Sequence, residues 1–548
     1  MSRAWYLAAC LFAASTIVSL VPSLRAVDPE ADEKLLKQAL GSTDPDKVIG
    51  YLREQTLTDA AREKYLPLIQ QLGDKVFRKR EEASRKLIEA GPVVMPLLRE
   101  ASNSTDREIS SRARRCLSEM ETSPKRGLPL IAARYLVRLR HEKAVEVLLA
   151  YIPTVEEETY RNDLLQGLLT VGVSGKYAHP MLVKCLDDKD AGKRALAVQL
   201  LLNCEDPAIR KKLRERLQDK DPEVRFPVAL SLAQKADRDA IPVLIDLIAE
   251  SKNTTVWQQA EETLYALGGD NAPHVETGDG TDDDRKIIRT AWQTWWKERG
   301  SQLLLGQKEE YPTDVAVVAD TEGRVWEWKP EGKPRFDLTD FTMPVDAHVL
   351  PGNRVLIADQ SSRRVTERDF AGKVLWEKVC EDGPVTIQRL PNGNTYIATM
   401  QRVLEVRRDG QEVYSYPLPV DDDYLCDSNR LADGTIGIIT FQGKFIVMNP
   451  MGKVLATKEM GGRGSVEALP NGHFLVSRVG TQSVAEVDTS GDISWEVTVP
   501  GMWFGTRTPD GGAIIAMKQQ KKMIKVDSNG KTLWEKDIDG QPHAIHWK

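Results

Sequence analysis

The sequence predicts a multidomain α + β chain: an α-helical solenoid, then an all-β propeller of six blades closed by the C-terminal strand. Three observations carry this prediction. From about Asp32 to Gly300 the apolar residues recur at helical spacing, in pairs of short segments separated by Gly, Pro, Asn and Asp. After Gln307 the pattern changes to strand-like alternation, with turns recurring at intervals of 40, 41, 38 and 39 residues. The final residues then supply a strand that the first of these repeats lacks.

The N-terminus is the first element. Arg3 precedes an almost unbroken apolar run from Ala4 to Val21, followed by Pro22-Ser23-Leu24-Arg25-Ala26 and the acidic Val27-Asp28-Pro29-Glu30. That order is expected of a secretory signal peptide over residues 1–26, cut after Ala26. Leu24 is a poor residue three places before the cut, so an uncleaved membrane anchor is the alternative. No later segment approaches the ~20 apolar residues of a span. The expected location is therefore periplasmic or extracellular, with membrane attachment only through a retained N-terminus.

At 548 residues the chain exceeds one core, and 41% hydrophobic with 28% charged residues is the balance of a soluble globular protein. The net charge of −6 argues against nucleic-acid partners, which need a basic footprint. Lys and Arg cluster at Arg78–Arg85, Arg112–Arg115 and Lys211–Arg216, but beside acids on predicted helices, as solvated faces do. Beyond Cys10, the cysteines Cys116, Cys185, Cys204, Cys380 and Cys426 have neither the even count of a disulfide framework nor CxxC spacing. Cys185 could pair with Cys204, or Cys380 with Cys426, after export.

The helical half, 27–300, repeats a local turn. An Asp precedes an Arg by six residues and an Ala- and Leu-rich helix follows, at Asp74/Arg80, Asp106/Arg112, Asp188/Arg194 and Asp219/Arg225. A single helix pair cannot bury its apolar stripe, so pairs stack, with the Asp at a helix start and the Arg reaching back to it or to the next repeat's Asp. These residues resemble short HEAT repeats, most closely over 181–250. Asp279 to Asp284 is expected to be an acidic solvated loop rather than a calcium site, lacking the EF-hand order of ligands. Trp292, Trp295 and Trp296 fall at i, i+3 and i+4 on a final helix, a packing stripe that caps the solenoid or docks it on the propeller.

A linker at 301–312 leads to the propeller, 313–548. Its turns are Leu350-Pro351-Gly352-Asn353, Leu390-Pro391-Asn392-Gly393, Leu431-Ala432-Asp433-Gly434, Leu469-Pro470-Asn471-Gly472 and Thr508-Pro509-Asp510-Gly511. Asn-Gly and Asp-Gly favour hairpins because both residues accept positive φ. Each turn is followed by an apolar strand such as Val355-Leu356-Ile357-Ala358, a second strand, a Gly turn, and an outer strand carrying Trp376, Tyr414, Trp495 or Trp534. Four strands per ~40 residues make a propeller blade. The first repeat, from Val315, lacks its opening strand, and His543-Ala544-Ile545-His546-Trp547 supplies it.

The blade pattern, typified by Leu390-Pro391-Asn392-Gly393-Asn394-Thr395, resembles pyrroloquinoline-quinone-like repeats and the six-bladed bacterial arylsulfotransferase propeller. Quinone enzymes of that superfamily are usually eight-bladed with a vicinal cysteine pair; six blades without one imply no bound quinone. Arylsulfotransferases commonly carry His-Asp ahead of the Leu-Pro turn. Asp346 matches that Asp, whereas Val345 stands at the histidine position, so sulfate transfer is not implied.

In register from each turn, Asp346, Thr386, Asp427, Ser465, Phe504 and His543 share a face with His348, Gln388, Asn429, Glu467, Thr506 and Ile545. Arg389, Arg430, Arg507 and His546 hold intervening positions. Because opening strands line a propeller axis, the candidate ligand-binding residues of the channel are Asp346, His348, Gln388, Asp427, Asn429, Glu467, Arg507 and His543. Asp421-Asp422-Asp423 is read as an acidic loop. No catalytic residue, metal site or cofactor is expected, because no nucleophile, zinc, P-loop or dinucleotide motif is present in context. The expectation is an exported, non-catalytic binding or scaffold protein engaging other proteins or a small ligand. The alternative is an extracytoplasmic transferase, lyase or hydrolase working in the propeller channel.

Overall fold

The computed structural model describes residues 29–303 and 315–547, apart from 122–126, 156–157, 274, 276–279, 330, 420–422 and 509. The N-terminal segment read as signal peptide or anchor lies outside them, as do Asp279, Asp421 and Asp422. No described helix is long and apolar enough to cross a membrane. The described chain forms two compact units, 29–228 and 229–547. The division differs from the 300/313 boundary read from helical periodicity, because the helices from Ala240 to Arg299 belong to the propeller's unit.

The first unit is a run of short helices, and three of the four predicted Asp/Arg turns form; Arg112 instead binds Glu81 and Glu108. Arg194 Nη1 donates to its own turn's Asp188 carbonyl at 3.0 Å, while Nε and Nη2 clasp Asp219 of the next turn at 2.8 and 2.7 Å. Arg80 and Arg225 likewise donate to the carbonyls of Asp74 and Asp219. The cap itself at the third turn is Asp190, which accepts from Lys193 N; Asp188 stands just before it and accepts from Asp190 N. Between helices, Val173–Ser174 pairs with Tyr177–Ala178 in a small hairpin. The five described cysteines are free, so neither Cys185–Cys204 nor Cys380–Cys426 is formed.

In the second unit, six four-stranded antiparallel sheets form the propeller. The first strands of successive sheets touch in a closed circuit: Pro344–Leu350, Pro384–Arg389, Leu425–Arg430, Gly464–Ala468, Phe504–Arg507, Pro542–Trp547 and back to Pro344–Leu350. Pro542–Trp547 pairs with Ala316–Asp320 and completes blade one, which ends with Arg324–Trp328 and Asp337–Leu338. Outer-strand aromatics tie neighbouring blades at the rim. Trp376 Nε1 donates to the Arg408 carbonyl at 2.8 Å, and Trp495 Nε1 to the Ser528 carbonyl at 2.7 Å.

Helix Thr254–Gly268 is buried along nearly its whole length between the blade turns and helix Asp282–Arg299. On one side Tyr265 meets Trp292 edge-on at 5.0 Å, and Trp292 meets Trp295 at 5.1 Å, so the tryptophan stripe packs inward as its spacing predicts. On the other side Gly352 sits at φ +82, and a Cβ there would lie 2.6 Å from the Tyr265 ring. Asp282, Asp283 and Asp284 are not loop residues: they form the first turn of Asp282–Arg299, capped by Thr281, where the helix dipole favours acids.

The join is ionic. Arg354 bridges Glu262 at 3.0 Å and Glu367 at 2.6 Å, with its guanidinium 3.6 Å from the centre of the Tyr265 ring. Arg389 and Arg408 also bind Glu367. All five charged side chains are at most 5% exposed. Removing one partner from such a cluster strands charges that water cannot reach, so Glu367→Ala should cost about 3–5 kcal/mol in urea-unfolding free energy. A cost under ~1 kcal/mol, the range of an exposed pair, would contradict a dominant role for this cluster.

Candidate functional site

The innermost strands leave free N–H groups facing the next blade, and an unsatisfied buried donor is costly. Four of the eight predicted channel residues, Asp346, Gln388, Asp427 and Glu467, answer this need, and Thr386 joins them. Asp346 Oδ2 accepts from Ile387 N at 2.9 Å, and Thr386 Oγ1 accepts from Ser428 N at 3.2 Å. Asp427 Oδ2 accepts from Val466 N at 2.8 Å, and Glu467 Oε2 from Arg507 N at 3.0 Å. The Gln388 amide acts as a strand surrogate, accepting from Arg430 N and donating to Arg430 O, each at 3.2 Å. Asn429 Oδ1 accepts from Arg430 N at 3.0 Å. The polar ring is thus largely a set of blade-to-blade staples.

The arginines do not line the axis. Arg507 turns into its blade seam, stacked 3.7 Å from the Trp495 ring centre and 3.4 Å from Glu486, which corrects its assignment to the channel. Arg430 does the same with Glu405, and Arg389 with Glu367. The cause is strand alternation: residues next to Gln388, Asn429 and Thr506 face away from them. Val345 faces its blade core at 2% exposure.

The closing strand brings a second correction. Pro542 pairs with Asp320 and Ala544 with Ala319, with a bulge between, as Pro344 pairs with Asp359 and Asp346 with Ala358. His543 therefore corresponds to the bulged Val345, Ile545 is core at 1% exposure, and His546 corresponds to His348. A one-residue slip exchanges the two faces of a strand, so the register that set His543 and Ile545 on the channel face left His546 at an intervening position. The prolines opening three of these strands were the available signal: Pro344, Pro384 and Pro542 each stand four residues before His348, Gln388 and His546. His543 Nδ1 lies 3.0 Å from the Val345 carbonyl and its ring meets Trp503 edge-on; burial and nearby Lys518 push its pKa down to about 4.

His546 and His348 converge on Asp346. His546 Nε2 is 2.7 Å from Oδ1, His348 Nε2 is 3.3 Å from Oδ2, and the imidazole centroids are 3.9 Å apart. The donor atoms of all three lie within 4.8 Å of one another, so these are the described residues that could hold a metal. Burial would raise the Asp346 pKa, but the two imidazoles outweigh it and hold the carboxyl well below the usual range. Burial and the neighbouring His348 lower the pKa of His546, favouring a neutral imidazole. His348 Nε2 is buried, and its 3.3 Å contact with Asp346 is poorly aligned for a hydrogen bond. Chemically, the trio offers two imidazole nitrogens and a carboxylate at one point of the axis.

Fold and site together define a protein with a HEAT-repeat solenoid and a six-bladed, quinone-like-repeat propeller. The HEAT-repeat family matches residues 180–265, and the family described as outer membrane protein assembly factor BamB matches residues 442–546. No curated protein sequence matches the chain. Among solved structures, a Bacteroides caccae protein of unknown function is 16% identical, with a TM-score of 0.38 over 43% of this chain and 98% of its own. A catalytically inactive virginiamycin B lyase from Staphylococcus aureus with quinupristin is 14% identical, with a TM-score of 0.34 over 41% of this chain and 86% of its own. A streptogramin B lyase is 13% identical, with a TM-score of 0.31 over 37% of this chain and 70% of its own.

Asp427 is the titratable staple. Burial, with the Asp346 charge adding to it, pushes its carboxyl up to about 7 despite hydrogen bonds from Thr386, Val466 N and Ser428 N. A carboxyl whose folded pKa is raised binds its proton more tightly folded than unfolded. Its contribution is present below the unfolded pKa and is lost as pH rises through the folded one. Stability should therefore fall from pH about 4 to about 7, and Asp427→Asn should flatten that slope in urea midpoints. Parallel curves for the two proteins would exclude Asp427 as the source.

Proposed function

We propose that this is an exported, non-catalytic recognition protein that engages protein partners through its solenoid and propeller surfaces. One observation carries the reading: the polar residues expected to converge as a channel site are mostly spent on joining blades. Asp427, Gln388, Glu467 and Thr386 each accept from the backbone of the next inner strand, so their hydrogen-bonding capacity is used by the ring. Solenoids and propellers both offer broad surfaces suited to macromolecules. The N-terminal apolar segment supports export to a periplasmic or extracellular location, and the acidic balance disfavours nucleic acid.

The second reading, an extracytoplasmic enzyme using the channel, is favoured by His348 and His546, which converge on Asp346 in addition to its bond from Ile387 N. Affinity capture from envelope extract separates the two. The full chain and Asp346→Ala/His348→Ala should retain the same protein partners. Loss of those partners in the variant, or capture of a small molecule alone, would overturn the recognition reading in favour of the channel.

A further inference from the structure

We propose that Asp346, His348 and His546 form a binding site for one divalent transition-metal ion of the zinc type, built across the seam where the propeller closes. The donor set is two imidazole nitrogens and one carboxylate. Zinc-type ions take such mixed N/O sets with bonds of ~2.0–2.2 Å, which places donors about 3–3.6 Å apart around a shared ion. His348 Nε2 and Asp346 Oδ2 are 3.3 Å apart, and every donor atom lies within 4.8 Å of the others. Calcium and magnesium favour all-oxygen shells, so the two imidazoles select against them.

A second, independent observation points to a ligand. The Asp346–His546 contact of 2.7 Å could stand alone as a hydrogen bond tying blade one to blade two. It accounts for only one of the two rings. The Nε2 of His348 is buried and lies 3.3 Å from the same carboxylate, a contact long and poorly aligned for a hydrogen bond. A buried polar atom held only by a poor hydrogen bond is unfavourable, and a shared cation answers both rings at once. The carboxylate is oriented from behind by Ile387 N at 2.9 Å, the kind of supporting bond that accompanies metal ligands.

The placement has a structural consequence. Asp346 and His348 come from one strand, Pro344–Leu350, while His546 comes from the last strand of the chain, Pro542–Trp547. The site exists only when the ring is closed, so the ion would clamp the closure. Three protein ligands leave a coordination position for water or an oxygen-donor ligand. This inference is independent of the recognition reading: partner capture tests that one, and metal stoichiometry tests this one.

The test uses full-length, tag-free protein stripped with chelator and titrated with Co²⁺ alone, followed by visible d–d absorption, then with Zn²⁺ to displace it. Wild type should bind one equivalent and gain thermal stability with Zn²⁺, as a ligand of the folded state must. His348→Ala leaves the Asp346–His546 bond in place and should weaken binding by ~100-fold or more, at least what losing a supporting group costs. His546→Gln keeps an amide able to donate to Asp346 while removing an imidazole, and should weaken binding similarly even if His348→Ala folds poorly. His473→Ala, at a histidine paired with Glu486 away from the trio, should bind as wild type does. Binding by His348→Ala or His546→Gln equal to wild type, or no saturable one-equivalent binding by wild type, would overturn the site.

Discussion

The propeller's unit is organised by one buried electrostatic knot. Glu367, on the third strand of blade two, receives Arg354 from its own blade and Arg389 and Arg408 from blade three, while Arg354 also holds Glu262 of helix Thr254–Gly268. Two blades thus meet on one carboxylate, and Arg354 joins a helix from before the propeller to it. Charges so fully removed from water are tolerable only when every partner is present, which makes the knot a constraint on position. Glu261 beside it is pushed up to about 7 by burial, its Oε1 without a hydrogen-bonding partner.

The same seam arrangement recurs round the ring. Third-strand Glu367, Glu405 and Glu486 each meet an arginine from the next inner strand, Arg389, Arg430 and Arg507. Nearer the axis, side chains of one inner strand accept from the backbone of the next. Flat sheets arranged radially expose an inner edge, and these bonds substitute for the ladder that the edge lacks. A polar axis is therefore partly a requirement of the architecture, and polarity alone is poor evidence for a ligand there.

Against that background the seam between blades one and two stands out. Asp346 staples Ile387 as its counterparts do, yet also faces two histidines. The bulges after Pro344 and Pro542 turn both strands in the same sense and bring His348 and His546 to one level. Bulges re-aim side chains at small cost; the same shift occurs at Pro384 and Leu425, but at Pro344 and Pro542 it sets two histidines beside Asp346 where the ring closes.

By itself the sequence determined the solenoid, six blades, their turns and the closing strand, because helical and strand periods and Asn-Gly or Asp-Gly turns are local properties of the chain. It also placed Asp346 and His348 on one face, since alternation within a strand is local too. Tertiary structure decided the rest. Whether Asp427 or Glu467 is free or spent depends on the neighbouring blade's backbone, about 40 residues away, which no local pattern encodes. The bulge at Pro542 exchanged Ile545 for His546. The assignment of helix Thr254–Gly268 to the propeller's unit rests on Glu262 meeting Arg354, 92 residues on, a pairing between charges that in sequence look like any solvated helix face.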